Sequence, residues 1–399
     1  VVWQLCCQTT TKKPISTLPQ AKKRRLRTSY NLREIKMKRE SIGVARLFSQ
    51  QVAAPTFTDP AAVVRWMGAM QAQDYNASLW AVGLRTVSAS EEDVVRALAE
   101  RRIARTWLMR GTLHLCAPED LRWMLSLCAP RIVQQSQARL RELELDAATL
   151  AASAKIVTAA LASGQVLARP ELLQRLEDSG IATTGQRGYH ILSQLAYKQL
   201  ICFGPYIAKQ PSFALIEEWL PAARALAREE ALATLALRYF NSHGPATLQD
   251  FTWWSGLVAG EAKAGLAAIV DQLTSLTIDG QLYYWCEKSG EKSEVRSQQS
   301  EGSAQILPAF DEFLLGYRDR SAVLAPGDAK RVVPGGNGVF FPIIVVDGRV
   351  VGTWKRDRQK LPSPLSFSPF NAFEHSPALK TAIARYERYL GTSLISRNL

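Results

Sequence analysis

Six cysteines in 399 residues are too few and too scattered for a disulfide framework. Cys6 and Cys7 are adjacent; Cys116, Cys128, Cys202 and Cys286 stand apart, and no C-x-x-C occurs. Neither a bridge network nor a zinc site is indicated, which fits a reducing cytoplasm. The four histidines, His114, His190, His243 and His375, show no metal-ligand spacing, and His114 reads as a partly buried strand residue. No apolar run of about 18 residues is present, so no transmembrane helix is expected. The opening VVWQLCC is too short for a signal peptide and has the wrong flanks. A P-loop, a G-x-G-x-x-G and a G-x-S-x-G are all missing, against the common nucleotide-binding and α/β-hydrolase sites. No metal, cofactor or nucleotide is expected.

What is there can fold. Hydrophobic residues make up 47% and charged residues 21%, enough for a core. The length suggests roughly two to four compact units. The net charge of +13 is unevenly placed: residues 1–40 hold eleven Lys or Arg against Glu34 and Glu40, a net +9, which leaves +4 for the body. This tail has no hydrophobic periodicity and contains Met37 just before the folded pattern starts. It reads either as a basic DNA-binding arm or as an extension ahead of a true start near Met37, and the second is favoured because nothing in it looks able to fold.

From Ile42 onward short helices alternate with turns. Pro60–Met70 has helical apolar spacing, with Asp59 as N-cap. Glu91–Glu100 follows, capped by Ser90 or Ser88, and RTWLMRGTLHLC (105–116) reads as two short strands around Gly111-Thr112. Two helices and a small hairpin are the outline of a winged helix, and a further helix is predicted at Glu119–Leu127. Residues 145–215 repeat the theme: helices at Asp146–Ser163, Arg169–Asp178 and Gly188–Lys198, then strands at Leu200–Phe203 and Tyr206–Lys209. A third copy follows, with helices at Pro221–Asn241, Leu248–Ser255 and Glu261–Leu273 and a strand over Thr277–Trp285 turning at Asp279-Gly280. Glu287–Ser303 reads as a polar loop. Val339–Val346 and Arg349–Lys355 flank Asp347-Gly348, a hairpin signal, and Ser376–Leu390 is a closing helix. The fold class is α+β, mainly α: a basic extension (1–40), winged-helix units at 41–140, 141–220 and 221–288, and a C-terminal β-rich region with a terminal helix (289–399).

Three segments draw chemical interest. GPATLQDFTWWSGL (244–257) has helix-turn-helix grammar, with Thr247 as N-cap and Gly256 at the turn, and serves either DNA binding or plain helical packing. In MQAQDYNASLWAVGLR (70–85), Gln71 and Gln73 share one side if the chain is extended, where two amides can hold a water or a sugar oxygen. An exposed polar turn, or amides capping nearby backbone, competes with that reading. LPAFDEFLLGYRDR (307–320) gathers Asp311, Glu312 and Asp319, candidates for acid/base work but more simply paired with Arg318 and Arg320.

Taken in order, ARLFSQQVAAPTFTDPAAVVRWMGAMQAQDY, ARTWLMRGTLHL, GPATLQDFTWWSGL, LPAFDEFLLGYRDR and VVDGRVVGTWKR resemble the bacterial winged-helix DNA-binding proteins that include the AlkZ-like and YcaQ-like DNA glycosylases. The likeness runs from Ile42 to Leu390. It implies three tandem winged helices lining a channel around duplex DNA, and a C-terminal hairpin reaching toward it. The family's Gln-x-Gln or Gln-x-Asp motif maps onto Gln71-Ala72-Gln73, which places this chain in the Gln-x-Gln branch. Members of that type excise alkylated bases, and some unhook interstrand crosslinks. The resemblance makes Gln71 and Gln73 the catalytic pair, with Asp74 as a possible assistant. Arg105 and Arg110, flanking a wing, and Lys355 and Arg356, ending a strand, are candidate phosphate contacts. Thr247 and Gln249 of the helix-turn-helix and Asn337 at the Gly335–Gly338 tip are candidate DNA contacts.

The expectation is a monofunctional, monomeric DNA glycosylase of the bacterial cytoplasm and nucleoid. It would hydrolyse the N-glycosidic bond of N7-alkylguanine-type or crosslinked bases in duplex DNA. A non-catalytic winged-helix regulator is the alternative, and a protein–protein scaffold a third.

Overall fold

The computed structural model describes residues 37–222, 224–286, 302–336, 338–357, 364–371, 377–392 and 395–397. Capping chemistry sets several helix starts. Asp59 accepts the N–H of Ala61 at 3.1 Å and Pro60 opens α2. Ser90 and Asp93 form a reciprocal capping box on α4, as Thr247 and Asp250 do on α11. The helices are α1 (Ser41–Ser49), α2 (Pro60–Met67), α3 (Tyr75–Gly83), α4 (Glu91–Ala99), α5 (Leu121–Glu142) and α6 (Ala147–Leu161). They continue with α7 (Arg169–Asp178), α8 (Arg187–Tyr197), α9 (Ile216–Trp219), α10 (Arg228–His243), α11 (Leu248–Ser255) and α12 (Ala259–Ala267). Short helices Glu312–Leu315 and Ala329–Val332 and a terminal helix Pro377–Leu390 follow.

The strands are short and the fold is α+β, mainly α. β1 (Ala69–Gln71), β2 (Ala104–Trp107), β3 (Leu113–Cys116), β4 (Leu167–Ala168), β5 (Ile201–Phe203) and β6 (Ser212–Leu215) make one sheet in the order β1-β3-β2-β5-β6-β4. β7 (Thr274–Ile278) and β8 (Gln281–Trp285) form a separate hairpin. β9 (Ala304–Leu307), β10 (Ile343–Val346), β11 (Arg349–Arg356), β12 (Pro364–Pro369) and β13 (Ile395–Arg397) form the last sheet, ordered β13-β12-β11-β10-β9.

Three local expectations need correction. Tyr206–Lys209 is not a strand: Ala208 and Lys209 take positive φ and Ile207 and Gln210 exchange backbone bonds, so the segment is a tight turn. The partner of β5 is β6, which starts after Pro211. The helix expected from Pro221 starts only at Arg228, because Ala227 is still extended and the first-turn acids are Glu229 and Glu230. The helix expected to end at Leu127 runs on to Glu142 through Pro130. The 1–36 tail and most of the polar loop lie outside the described residues.

The core centres on α10, which packs on α1, α2, α5 and α12. Tyr239, Phe240, Phe251 and Trp254 are fully buried there, and Tyr239 lies 5.3 Å from Phe251 and 5.0 Å from Trp254. Each such side chain contributes about 1.5–3 kcal/mol through apolar burial. The terminal helix lays Tyr386 and Tyr389 against Trp80, both at 4.8 Å. The indoles of Trp80 and Trp354 donate to the β9 carbonyls of Ile306 and Leu307. At the other end of the chain, Gly43 of α1 touches the β10–β11 turn. A Cβ on Gly43 would stand 2.0 Å from the Gly348 carbonyl oxygen, so only glycine permits this approach of two backbones.

Candidate active site and nucleic-acid interface

The glutamine motif sits where β1 gives way to α3. α2 ends at Gly68, the chain turns into β1, and Gln71 pairs with His114 of β3. Ala72 N–H donates to Leu113 O at 2.7 Å, and Asp74 caps α3 by accepting Ala77 N–H at 3.0 Å. The extended stretch brings both amides to one edge of β3. Gln71 Oε1 accepts Gln73 N–H at 3.1 Å, and Gln73 Oε1 faces Leu113 N–H at 3.4 Å. Gln71 is 8% exposed, whereas Gln73 is at the surface. Each amide oxygen has a second lone pair beyond its backbone bond and can still hold a water or an oxocarbenium-like sugar.

Glu312 lies directly behind Gln71. Its Oε1 accepts Gln71 N–H at 2.8 Å, and its Oε2 accepts Trp254 Nε1–H at 3.1 Å and faces His243 Nε2 at 3.5 Å. Burial pushes the Glu312 pKa up, but the facing His243 imidazole and the Gln71 N–H it accepts hold it below the ordinary carboxylate value. Asp311 instead makes a two-point pair with the buried Arg85, at 2.8 and 2.9 Å. The expectation that these acids pair with Arg318 and Arg320 is therefore corrected. Phe310 turns the chain with φ at 58° and aims both carboxylates inward, while Arg320 Nε donates to Leu314 O. Sequence reasoning missed the role of Glu312; the signal was two acids embedded in an apolar run, FDEFLL, where an unpaired carboxylate is costly. His114 is more buried than expected, fully so. Burial, with the nearby charge of Arg110, pushes its pKa down to about 4 and keeps the ring neutral.

The candidate DNA contacts divide. Arg105 is turned inward, a correction to its reading as a wing-flanking surface charge: Nη2 donates to Ala72 O at 3.0 Å and the guanidinium lies against Phe203 and Tyr75. Tyr75 and Tyr206 stack beside it at 4.1 Å. Thr247 is likewise buried, its hydroxyl committed to Asp250 N–H at 3.1 Å, so its part is to shape α11. Arg110 and exposed Gln249 meet in a groove of about 590 Å³ together with Arg131, Gln135, Trp253 and Arg318. Among the described residues no carboxylate lines that groove, and Trp253 is 43% exposed in it. Arg110 Nη1 donates to the carbonyls of Trp253 and Trp254. Asp74, Lys355 and Arg356 come together in a second cavity of about 280 Å³, with Trp80, Trp354 and Tyr386. Asn337 lies outside the described residues. Among the described residues no cluster of three or more His, Cys, Asp or Glu is placed to hold a metal ion, and no helix is long and apolar enough to cross a membrane.

With the geometry in place, comparison with known proteins fixes the class: this chain is a DNA glycosylase, a hydrolase acting on DNA. The family model described as DNA glycosylase AlkZ-like matches residues 64–389, and the chain belongs to that family. It is similar to the interstrand DNA cross-link repair glycosylase of Streptomyces sahachiroi, 28% identical over 367 residues that cover 87% of this chain and 94% of the relative. The solved structure of the Streptomyces sahachiroi DNA glycosylase AlkZ superposes with a TM-score of 0.75 at 26% identity, covering 91% of this chain and 99% of that one.

Proposed function

We propose that the protein is a monofunctional glycosylase that releases N7-alkylguanine-type and crosslinked bases from duplex DNA, with Gln71 and Gln73 as its catalytic pair. An N7-alkylated purine is cationic and leaves the sugar without being protonated. The enzyme needs only to place a water and stabilise an oxocarbenium-like sugar. Two amides do this without a strong base, metal or nucleotide. The convergence of Gln71 and Gln73 on one strand-to-helix junction carries the reading. The relative named as a cross-link repair glycosylase supports crosslinked bases among the substrates. A crosslinked base cannot swing freely into a deep pocket, so a shallow site beside open, cationic grooves suits it.

In this reading Arg110, Gln249, Lys355 and Arg356 contact the duplex. Arg105 and Thr247 act from behind that surface, and Asp74 helps by fixing the start of α3. The helix–turn–helix segments at 41–140, 141–220 and 221–288 act as winged-helix units, with the 289–399 region alongside. One monomer suffices, working in the cytoplasm on the nucleoid. The test is incubation with N7-methylguanine duplex DNA in a chelator-containing buffer, followed by cleavage at abasic sites. Release is expected from the wild type and lost in Gln71→Ala/Gln73→Ala; retained release in the double variant removes the catalytic assignment.

A further inference from the structure

Gln71, His114 and Thr106 stand in one row across three strands. Gln71 of β1 is in register with His114 of β3, and His114 with Thr106 of β2. Directly opposed residues of antiparallel strands project from the same face of the sheet, with Cβ atoms about 4.5–5.5 Å apart. The two inner members of the row, His114 and Thr106, are fully buried, and Gln71 at the end of the row is 8% exposed. Buried polar atoms are normally satisfied by protein or by ordered water. Two atoms of this row, His114 Nε2 and Thr106 Oγ1, have no protein partner.

The protonation pattern of the row follows from its neighbours. His114 Nδ1 lies 3.0 Å from Thr112 O. A carbonyl only accepts, so Nδ1 carries the proton and Nε2 is a bare acceptor. Gln71 Oε1 already accepts Gln73 N–H at 3.1 Å, which leaves NH2 as the donor end of the amide. The row therefore runs donor, acceptor, hydroxyl. One water would satisfy it by accepting from the Gln71 NH2, donating to His114 Nε2 and exchanging a bond with the Thr106 hydroxyl, within the two to four bonds usual for a buried water.

We infer that Gln71, His114 and Thr106 form a buried water site, and that His114 and Thr106 are positioning residues which fix the orientation of the Gln71 amide. The two ends of a carboxamide are almost the same size, so sterics alone do not stop the group from flipping. An acceptor behind the amide selects its NH2 and turns Oε1 toward Gln73 N–H and the face where the sugar would lie. This role rests on the reading of Gln71 as catalytic; the water site itself does not.

Conservative variants separate the two atoms of the imidazole. His114→Gln reaches the Nε2 position with an acceptor, whereas His114→Asn keeps only the contact to Thr112 O. Thr106→Val removes the hydroxyl at constant shape, and Thr106→Ser restores it. In single-turnover release of N7-methylguanine, His114→Asn and Thr106→Val are expected to be about tenfold slower well below Tm, with DNA Kd unchanged, as for the loss of one ordinary hydrogen bond. His114→Gln and Thr106→Ser should recover most of that loss. Equal rates for His114→Asn and wild type, or an equal loss in His114→Asn and His114→Gln, overturn the positioning role. A second readout needs no activity. The chain has four histidines, so ¹⁵N-histidine NMR resolves each imidazole. The Nδ1–H tautomer and a shift of the His114 Nε2 resonance in Thr106→Val are expected; an Nε2–H tautomer or an unmoved resonance overturns the site. Because this readout is independent of base release, loss of the glycosylase reading and loss of the water site are told apart.

Discussion

The carboxylate of Glu312 accepts the backbone N–H of Gln71 at 2.8 Å across 241 positions of sequence. Its other oxygen holds the indole of Trp254 and faces His243. A single buried acid thus joins the end of β1 to α10 and α11, and Gln71 inherits its backbone position from that junction.

Glu312→Ala is accordingly expected to cost about 3–5 kcal/mol of stability, as for a broken buried charged network. Glu312→Gln keeps one acceptor and is expected to fold while releasing alkylated base more slowly. Denaturant unfolding and single-turnover assays on both variants check this. An alanine variant as stable as the wild type would dissociate Glu312 from the anchoring of β1.

Stability is expected to rise with pH between about 4, the depressed value of His114, and its ordinary 6.5. Across that window the unfolded chain binds a proton that the folded chain does not, so acid favours unfolding. His243, lowered by burial, acts in the same sense. Glu312, held below its ordinary 4.5, adds stability that is present above that value and lost as pH falls through its folded pKa. His114→Asn removes one titrating group and should flatten the pH dependence of the unfolding free energy between about 4 and 6.5. An unchanged slope would contradict a neutral, buried His114.

Arg318 and Lys355 are exposed, one in the groove with Arg110 and Trp253 and the other beside Asp74. Replacing either with alanine is expected to weaken DNA binding regardless of sequence. The slope of log K against log salt should become shallower by about one per residue. Fluorescence anisotropy over a salt series measures it, and an unchanged slope places that residue off the phosphate path.

Gly43→Ala forces a Cβ to 2.0 Å from the Gly348 carbonyl oxygen. The two segments must part, at a cost of about 1–3 kcal/mol or more. Thermal melts should show the loss, and an unchanged Tm would contradict the tight seat of α1 on the hairpin.

Local signals carried much of the architecture in the sequence. Asp59-Pro60, Ser90 with Asp93, and Thr247 with Asp250 start helices where their capping chemistry says they should. Asp347 and Gly348 both take positive φ in the hairpin that their pairing suggests. The Gln71-Ala72-Gln73 spacing was legible because an extended chain sends alternate side chains the same way. Non-local pairing was not legible. Nothing near Glu312 names Gln71 as its partner, and nothing near Asp311 names Arg85, 226 positions away. The direction of Arg105 could not be read from its charge, since the carbonyl of Ala72 and the ring of Phe203 reach it only through the sheet.

The seat of Gly43 against Gly348 also bears on how the protein is made. At about 5–20 residues per second, a ribosome needs on the order of 15–60 s to deliver the roughly three hundred residues between them. For that time α1 holds Ile42, Val44 and Leu47 without the hairpin that later closes over it. A chain that stops ahead of the hairpin is therefore expected to leave this seat on α1 unfilled and to melt at a lower temperature than the full one.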